Sequence, residues 1–194
     1  AELTRLPATS FEAQAIAELV DPVQSLLATG FDASRESVLG SNLGNYRVVH
    51  FATHGLIDSR YPALSALAFS QFDERGNPLD GFLRLHDIYN LDLNADLVTM
   101  SACSTALGRE ISGEGLTGLA QGLMYSGSRS VLASLWQVPD RATAELMKRF
   151  YQNLLEKNQK PAEALRNAQL ELSSTVRWRD PYFWSAFVLQ GDWR

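Results

Sequence analysis

Short, continuously apolar runs alternate with segments of helical spacing along most of the chain, and this alternation constrains the fold more than any other feature. Continuous apolar runs are typical of strands that are buried on both faces, and the helical segments between them provide the crossover connections that parallel strands need. We therefore predict an α/β fold with a mainly parallel sheet and helices on both of its faces. The predicted strands are Val48–Ala52, 63–70, 97–102, 128–136 and 182–191.

The predicted helices differ in how clearly the sequence marks them. Residues 139–158 give the clearest signal, because apolar side chains recur at three- and four-residue intervals directly after Pro139. Residues 11–27 also have helical spacing, with Phe11 in the apolar stripe, and Pro22 should break or kink this helix. Further helices are predicted at 82–93, 115–127 and 161–175, and a hairpin-like loop at 71–81.

The composition excludes several classes of partner. A net charge of −5 argues against direct nucleic-acid binding, because such proteins usually carry a basic face. No stretch approaches the ~20 apolar residues of a membrane-spanning helix, so no membrane partner is expected. A single cysteine cannot form an internal disulfide, which predicts a reducing compartment, the cytoplasm. The 194 residues suit one domain, and a start without methionine indicates a fragment of a longer chain.

Two side chains that can perform chemistry follow predicted strands. His54 lies just beyond Val48–Ala52, and Cys103, the only cysteine, lies just beyond 97–102. Ligands of parallel sheets bind outside the carboxyl ends of the strands. If these two strands are parallel neighbours, ~4.8 Å apart, both side chains can reach one substrate. A thiolate can then attack a carbonyl while the imidazole moves protons, and Gly55 allows a sharp turn that directs its N–H toward an oxyanion.

The same residues also have purely structural interpretations. A lone cysteine often packs as a small buried hydrophobe, and a His-Gly pair often marks a turn. His50 lies inside a predicted strand and His86 on a predicted helix, so we expect a core role for the first and a surface or packing role for the second. The three histidines and one cysteine lack the spacing of a zinc site, and neither a metal nor another cofactor is predicted.

Longer motifs strengthen the catalytic interpretation. In chain order they are HFATHG, LVTMSACSTALG, GEGLTGLAQGLMYSGSRSVLASLWQVPD, LMKRFYQNL, AEALRNAQ and DPYFWSAFVLQGDW. Together they resemble the CHAT domain, a caspase-like peptidase domain that is associated with TPR repeats and is similar to the separase protease domain. This resemblance implies a caspase-haemoglobinase fold, that is, a caspase-like three-layer sandwich, and a cysteine endopeptidase that uses no metal.

The resemblance implies a catalytic role for individual residues. His54 matches the histidine of the family's HG motif, and Cys103 matches the cysteine of its SAC motif. Gly55 matches the glycine whose N–H helps to form the oxyanion hole. In this fold the cysteine is the nucleophile, and the histidine protonates the leaving amine without having to contact the thiol.

Substrate binding is implied for a further set of residues. Asp140, in LWQVPD, lies where separases have acidic residues, which implies a pocket for a basic residue before the scissile bond. Asp140 also suits the N-terminal cap of the helix predicted after Pro139, and this alternative stays open. Ser101 and Asp58 are weaker candidates for the same pocket.

The resemblance also bears on organisation and partners. It implies one CHAT peptidase domain over residues 1–194, with an N-terminal helical and linker part at 1–45 and a catalytic core at 46–194. The implied partners are a protein or peptide substrate and the TPR repeats of the parent chain, whose domains would regulate the site. The main alternative is a catalytically silent caspase-fold module for protein interactions. A redox enzyme is disfavoured, because no second cysteine exists to resolve a disulfide.

Overall fold

The strands form two sheets. The computed structural model describes residues 3, 6–58, 61–101, 104–106 and 114–192, and within them each sheet has four strands. None of the helices in these residues has both the length and the apolar composition needed to cross a membrane. The helices are α1 (Ala8–Ala17), α2 (Arg35–Gly40), α3 (Leu85–Tyr89), α4 (Glu114–Tyr125), α5 (Asp140–Tyr151, continued by a π-helical turn, Gln152–Glu156) and α6 (Pro161–Ser173). The strands are β1 (Val48–Phe51), β2 (His54–Ile57), β3 (Ala66–Ala68), β4 (Phe82–Arg84), β5 (Leu97–Met100), β6 (Ser104–Ala106), β7 (Ser130–Ser134) and β8 (Phe187–Gly191).

The first sheet is the mainly parallel one that the sequence predicts. Its strand order is β1-β5-β7-β8. The first three strands are parallel, and β8 runs antiparallel to β7. An antiparallel strand at the edge of an otherwise parallel sheet is common. The predicted α/β class and the mainly parallel sheet are therefore confirmed.

Helices cover both faces of the first sheet. Because successive side chains of a strand point to opposite faces, Val49 packs with α3 and α4, whereas Val48 packs with α5 and α6. On the second face, α5 buries Leu146, Met147 and Phe150 completely, which contributes roughly 1.5–3 kcal/mol for each side chain. α1 lies against α5 on this same face. The layers are consistent with a caspase-like sandwich.

The second sheet contains His54 and corrects one prediction. Its order is β4-β3-β2-β6, and β2 is antiparallel to β3 but parallel to β6. The predicted turn at Gly55 is wrong, because His54 begins β2 and Gly55 is buried within that strand. Strands pair with β2 on both sides and hold its backbone extended. A glycine inside a strand allows close approach of neighbouring backbone without requiring a turn.

The segment 82–93 is only partly helical. Its first three residues form β4, which pairs with β3 across the predicted hairpin-like loop at 71–81. The helix is limited to Leu85–Tyr89. It begins where the carboxylate of Asp87 accepts a hydrogen bond of 2.9 Å from the backbone N–H of Arg84, which satisfies a donor at the start of the helix.

Candidate active site

β1 and β5 bring the segments that follow them to one edge of the first sheet. Phe51 pairs with Met100, and the backbone N–H of Ser101 donates to the Phe51 carbonyl at 3.2 Å. The condition for a shared site, that these strands are parallel neighbours, is confirmed. Cys103 and the adjacent Ala102 lie outside the described residues.

β6 adds a second constraint on this part of the chain. It runs parallel to β2, and Ser104 lies opposite Gly55. The described residues that bracket 102–103 are therefore Ser101, bonded to Phe51, and Ser104, paired with Gly55. Phe51 and Gly55 in turn lie on either side of His54 in the sequence. β1 and β2 thus run parallel to β5 and β6, respectively.

A cleft lies beside His54, between α1, the ends of the strands and the start of α5. Its free volume is ≈ 30 Å³, enough for a water molecule or another compact polar group. Glu12, His54, Ser101, Asp140 and Thr143 contribute to its wall. Two of these side chains are carboxylates, and no lysine or arginine occurs among the described residues that line the cleft. The cleft therefore has an acidic character.

Asp140 is the first residue of α5, but it caps a different helix. Pro139 occupies the N-cap position of α5 and makes no side-chain capping bond. The Asp140 carboxylate instead accepts a hydrogen bond of 2.6 Å from the backbone N–H of Ala8, the first residue of α1. The alternative in which Asp140 caps its own helix is therefore wrong, because the chain fold brings a more distant helix end to this carboxylate.

A buried polar chain connects the first sheet to the wall of the cleft. His50 Nε2 lies 2.7 Å from Glu12 Oε1, and His50 Nδ1 lies 3.0 Å from the Tyr151 hydroxyl, which donates to Thr99 Oγ1 at 2.9 Å. Burial raises the pKa of Tyr151 above its ordinary value, and the Thr99 hydrogen bond opposes this. The phenol therefore stays protonated, within hydrogen-bond distance of both His50 and Thr99. The predicted core role of His50 is confirmed, and His86 is exposed as predicted.

The predicted substrate-binding residues fall into two groups. Asp140 and Ser101 line the cleft together with His54. Asp58 follows the far end of β2, four residues beyond His54, a distance of about 13 Å along an extended strand. Its carboxylate accepts the backbone N–H of Tyr61 at 2.9 Å. Asp58 is not among the described lining residues, and its role in substrate binding stays a prediction.

Sequence reasoning missed Glu12 and Thr143. Glu12 is 1% exposed, whereas the adjacent Phe11, which the helical spacing places in an apolar stripe, is 73% exposed. Glu12 can be buried because the tertiary fold brings it next to His50, 38 residues away in the sequence. A buried charge requires such a partner. No local pattern distinguishes Glu12 from the exposed Glu18 of the same segment.

The comparisons with known proteins agree with the family resemblance found in the sequence. The family model for the CHAT domain matches residues 1–192. Tetratricopeptide repeat protein 28 of Mus musculus is 31% identical over 106 residues, which cover 55% of this chain and 4% of the relative. Tetratricopeptide repeat protein 28 of Homo sapiens is 27% identical over an alignment of 218 residues, which covers 96% of this chain and 8% of the relative. The chain thus spans less than a tenth of these relatives.

Proposed function

The chain belongs to the CHAT domain family, and on this premise we propose that it is a cysteine endopeptidase that hydrolyses peptide bonds of protein substrates through His54 and Cys103. One observation carries the proposal. β1 and β5 are parallel neighbours, so the segments that follow them start at one edge of the sheet, beside an acidic cleft. This arrangement supports a shared site for the two side chains.

The proposed reaction follows from the chemistry of the two side chains. The Cys103 thiolate attacks the scissile carbonyl carbon, a carbon–sulfur bond forms, and an electron pair moves to the oxygen, which the Gly55 N–H stabilises. Protonated His54 gives its proton to the leaving amine as the carbon–nitrogen bond breaks. Water then attacks the thioester, passes a proton to His54, and releases the acid product and the thiolate.

The residues that hold the substrate are proposed on the basis of the cleft. Asp140 and Ser101 line it together with His54, which supports a role for both in binding the side chain before the scissile bond. The acidic character of the cleft supports a basic side chain there. Asp58 follows the far end of β2 and has less support.

The cellular setting is also a proposal. The curated relatives are named as tetratricopeptide repeat proteins, and this chain matches 4% and 8% of their lengths. We propose that TPR repeats of the parent chain accompany this domain and regulate its site. A single cysteine agrees with a reducing compartment such as the cytoplasm.

A catalytically silent interaction module is the second candidate, and one observation favours it. The first turn of α1 donates to Asp140, and the cleft retains a free volume of only ≈ 30 Å³. A cleft this narrow favours a closed site. Peptide hydrolysis decides between the two candidates.

The test is to incubate the chain with a mixture of unstructured peptides and to identify the fragments by mass spectrometry. We expect cleavage that disappears in Cys103→Ala and falls about 10²–10⁴-fold in His54→Ala, because the leaving amine then lacks its acid. Cleavage that persists in Cys103→Ala would overturn the proposal. Absence of cleavage by the folded chain would favour the silent module.

A further inference from the structure

Three buried side-chain oxygens in the described residues have no hydrogen-bond partner, and all three belong to residues that line the cleft beside His54. They are Glu12 Oε2, Ser101 Oγ and Thr143 Oγ1. The residues that carry them are 1%, 0% and 3% exposed. Buried polar atoms in folded proteins are nearly always hydrogen-bonded, so this convergence points to a ligand that supplies the missing partners.

The three oxygens come from separate parts of the chain. Glu12 lies on α1, Ser101 follows β5, and Thr143 lies in the first turn of α5. Residues of three elements, each carrying one of these oxygens, therefore line one small space of ≈ 30 Å³. A space of this size accepts a compact polar group and excludes an aromatic ring.

The chemistry of these atoms restricts the ligand. An ionised carboxylate only accepts hydrogen bonds, and each hydroxyl can also accept. The other oxygen of Glu12 is engaged by His50 at 2.7 Å, and a carboxylate oxygen of Asp140 is engaged by the Ala8 N–H at 2.6 Å. The residues that line the cleft therefore carry three unpartnered oxygens that can accept a hydrogen bond, and they include two carboxylates. A primary ammonium has three donors, no acceptor and a positive charge.

We propose that this cleft binds the ammonium group of a substrate lysine, with Glu12 of α1 as its buried counter-charge. The inference rests on the proposed function, because the cleft adjoins His54. It makes the N-terminal helix part of the substrate site. His50 acts as a positioning residue, since it holds one Glu12 oxygen and leaves the other for the ligand.

Lysine is favoured over arginine because of size and geometry. The ammonium is compact, and its three N–H groups can serve three separate acceptors, which is the number of unpartnered oxygens here. A guanidinium is a planar fork that matches two parallel oxygens of one carboxylate. In Glu12, one oxygen is already bonded to His50, so this bidentate pairing is blocked.

The test measures binding by NMR titration and does not depend on catalysis. The probes are the N-acetyl methylamides of lysine, arginine and norleucine, which share a backbone and differ in the side chain. We expect the lysine probe to bind at least about tenfold more tightly than the norleucine probe, and more tightly than the arginine probe. Equal binding of lysine and norleucine would overturn the proposal, and the three oxygens would then hold only water.

Matched variants locate the counter-charge. Glu12→Gln keeps the shape and the acceptor for His50 but should remove the lysine preference, whereas Glu18→Gln makes the same charge change at an exposed site and should leave it intact. If Glu12→Gln unfolds, Thr143→Val removes one acceptor at constant volume and should weaken lysine binding several-fold. Lysine binding that is unchanged in the folded Glu12→Gln or Thr143→Val protein would contradict the assignment.

The NMR titration and the peptide hydrolysis assay can succeed or fail independently of each other. A cleft without lysine preference would leave the endopeptidase proposal standing, because the proposed reaction of His54 and Cys103 does not depend on that preference. Absence of hydrolysis would not affect the titration, which is read on the cleft itself.

Discussion

The carboxylate of Asp140, at the start of α5, accepts a hydrogen bond of 2.6 Å from the backbone N–H of Ala8, at the start of α1. The two residues are 132 positions apart in the sequence. The bond satisfies a backbone donor that a helix N-terminus leaves open, and it places negative charge at the positive end of the α1 dipole. It thereby fixes α1 to the element that borders the cleft.

Removal of this cap should weaken the docking of α1. We expect Asp140→Ala to lower the free energy of unfolding by about 1 kcal/mol, the usual cost of losing a helix cap. Asp140→Asn retains an acceptor and should cost less. Chemical denaturation measures both, with Asp32→Ala as a control at an exposed aspartate. Equal stability of Asp140→Ala and the control would show that the bond does not hold α1.

The buried pair of Glu12 and His50 should contribute more than this cap. Their side chains are 0% and 12% exposed, and Glu12→Ala leaves Nε2 of His50 without its buried partner. We expect a loss of about 3 kcal/mol in the free energy of unfolding. Glu18→Ala, on the exposed end of the same segment, should change it by no more than about 0.5 kcal/mol. Similar values for the two variants in a denaturation experiment would rule out a paired, buried Glu12.

The ion pair of Arg35 and Asp87 should make stability depend on pH. The guanidinium approaches the carboxylate at 2.7 and 3.1 Å. Burial by itself raises the pKa of Asp87, but the Arg35 hydrogen bonds, the Arg84 N–H and the nearby positive charges outweigh it and hold the pKa below its ordinary value. Asp87→Asn should therefore cost about 2 kcal/mol at neutral pH.

The sign of this pH effect follows from the lowered pKa. The unfolded chain takes up the proton first, at the ordinary aspartate pKa of about 3.9. The stabilisation is therefore complete above that pH and is lost as the pH falls through the lower folded-state pKa. The difference between wild type and Asp87→Asn should shrink in acid, while the exposed Asp92→Asn should differ little from wild type throughout. A constant difference between pH 7 and strong acid would contradict this interpretation.

Much of the fold could be predicted because the strands of the first sheet are buried on both faces. Leu97 and Val98 lie on opposite faces of β5, and both are buried, which is why the run in the sequence is continuous. The second sheet was harder to predict. β2 begins with His-Gly, a pair that locally favours a turn, and only its pairing with β3 and β6 makes it a strand. The conformational preference of a short segment does not show which distant strands will pair with it.

The residues of the candidate site also differ in whether the local sequence predicts them. His54, Ser101 and Asp140 could be predicted because each lies near the end of an apolar run or the start of a clear helix. The spacing of the apolar residues changes at such points. Glu12 could not, because its burial depends on His50 in another element. Cys103 lies outside the described residues, and its role stays a prediction.

Covalent labelling of Cys103 is the most direct measurement. The folded chain is treated with peptide acyloxymethyl ketones that carry Lys, Arg, Leu or Asp next to the reactive group, and the added mass is located by digestion. We expect one peptide adduct on Cys103 that depends on the peptide side chain, is favoured by Lys and falls in His54→Ala. Modification of Cys103 by a small thiol reagent, without labelling by any of the four peptides, would show that this chain does not form a protease site.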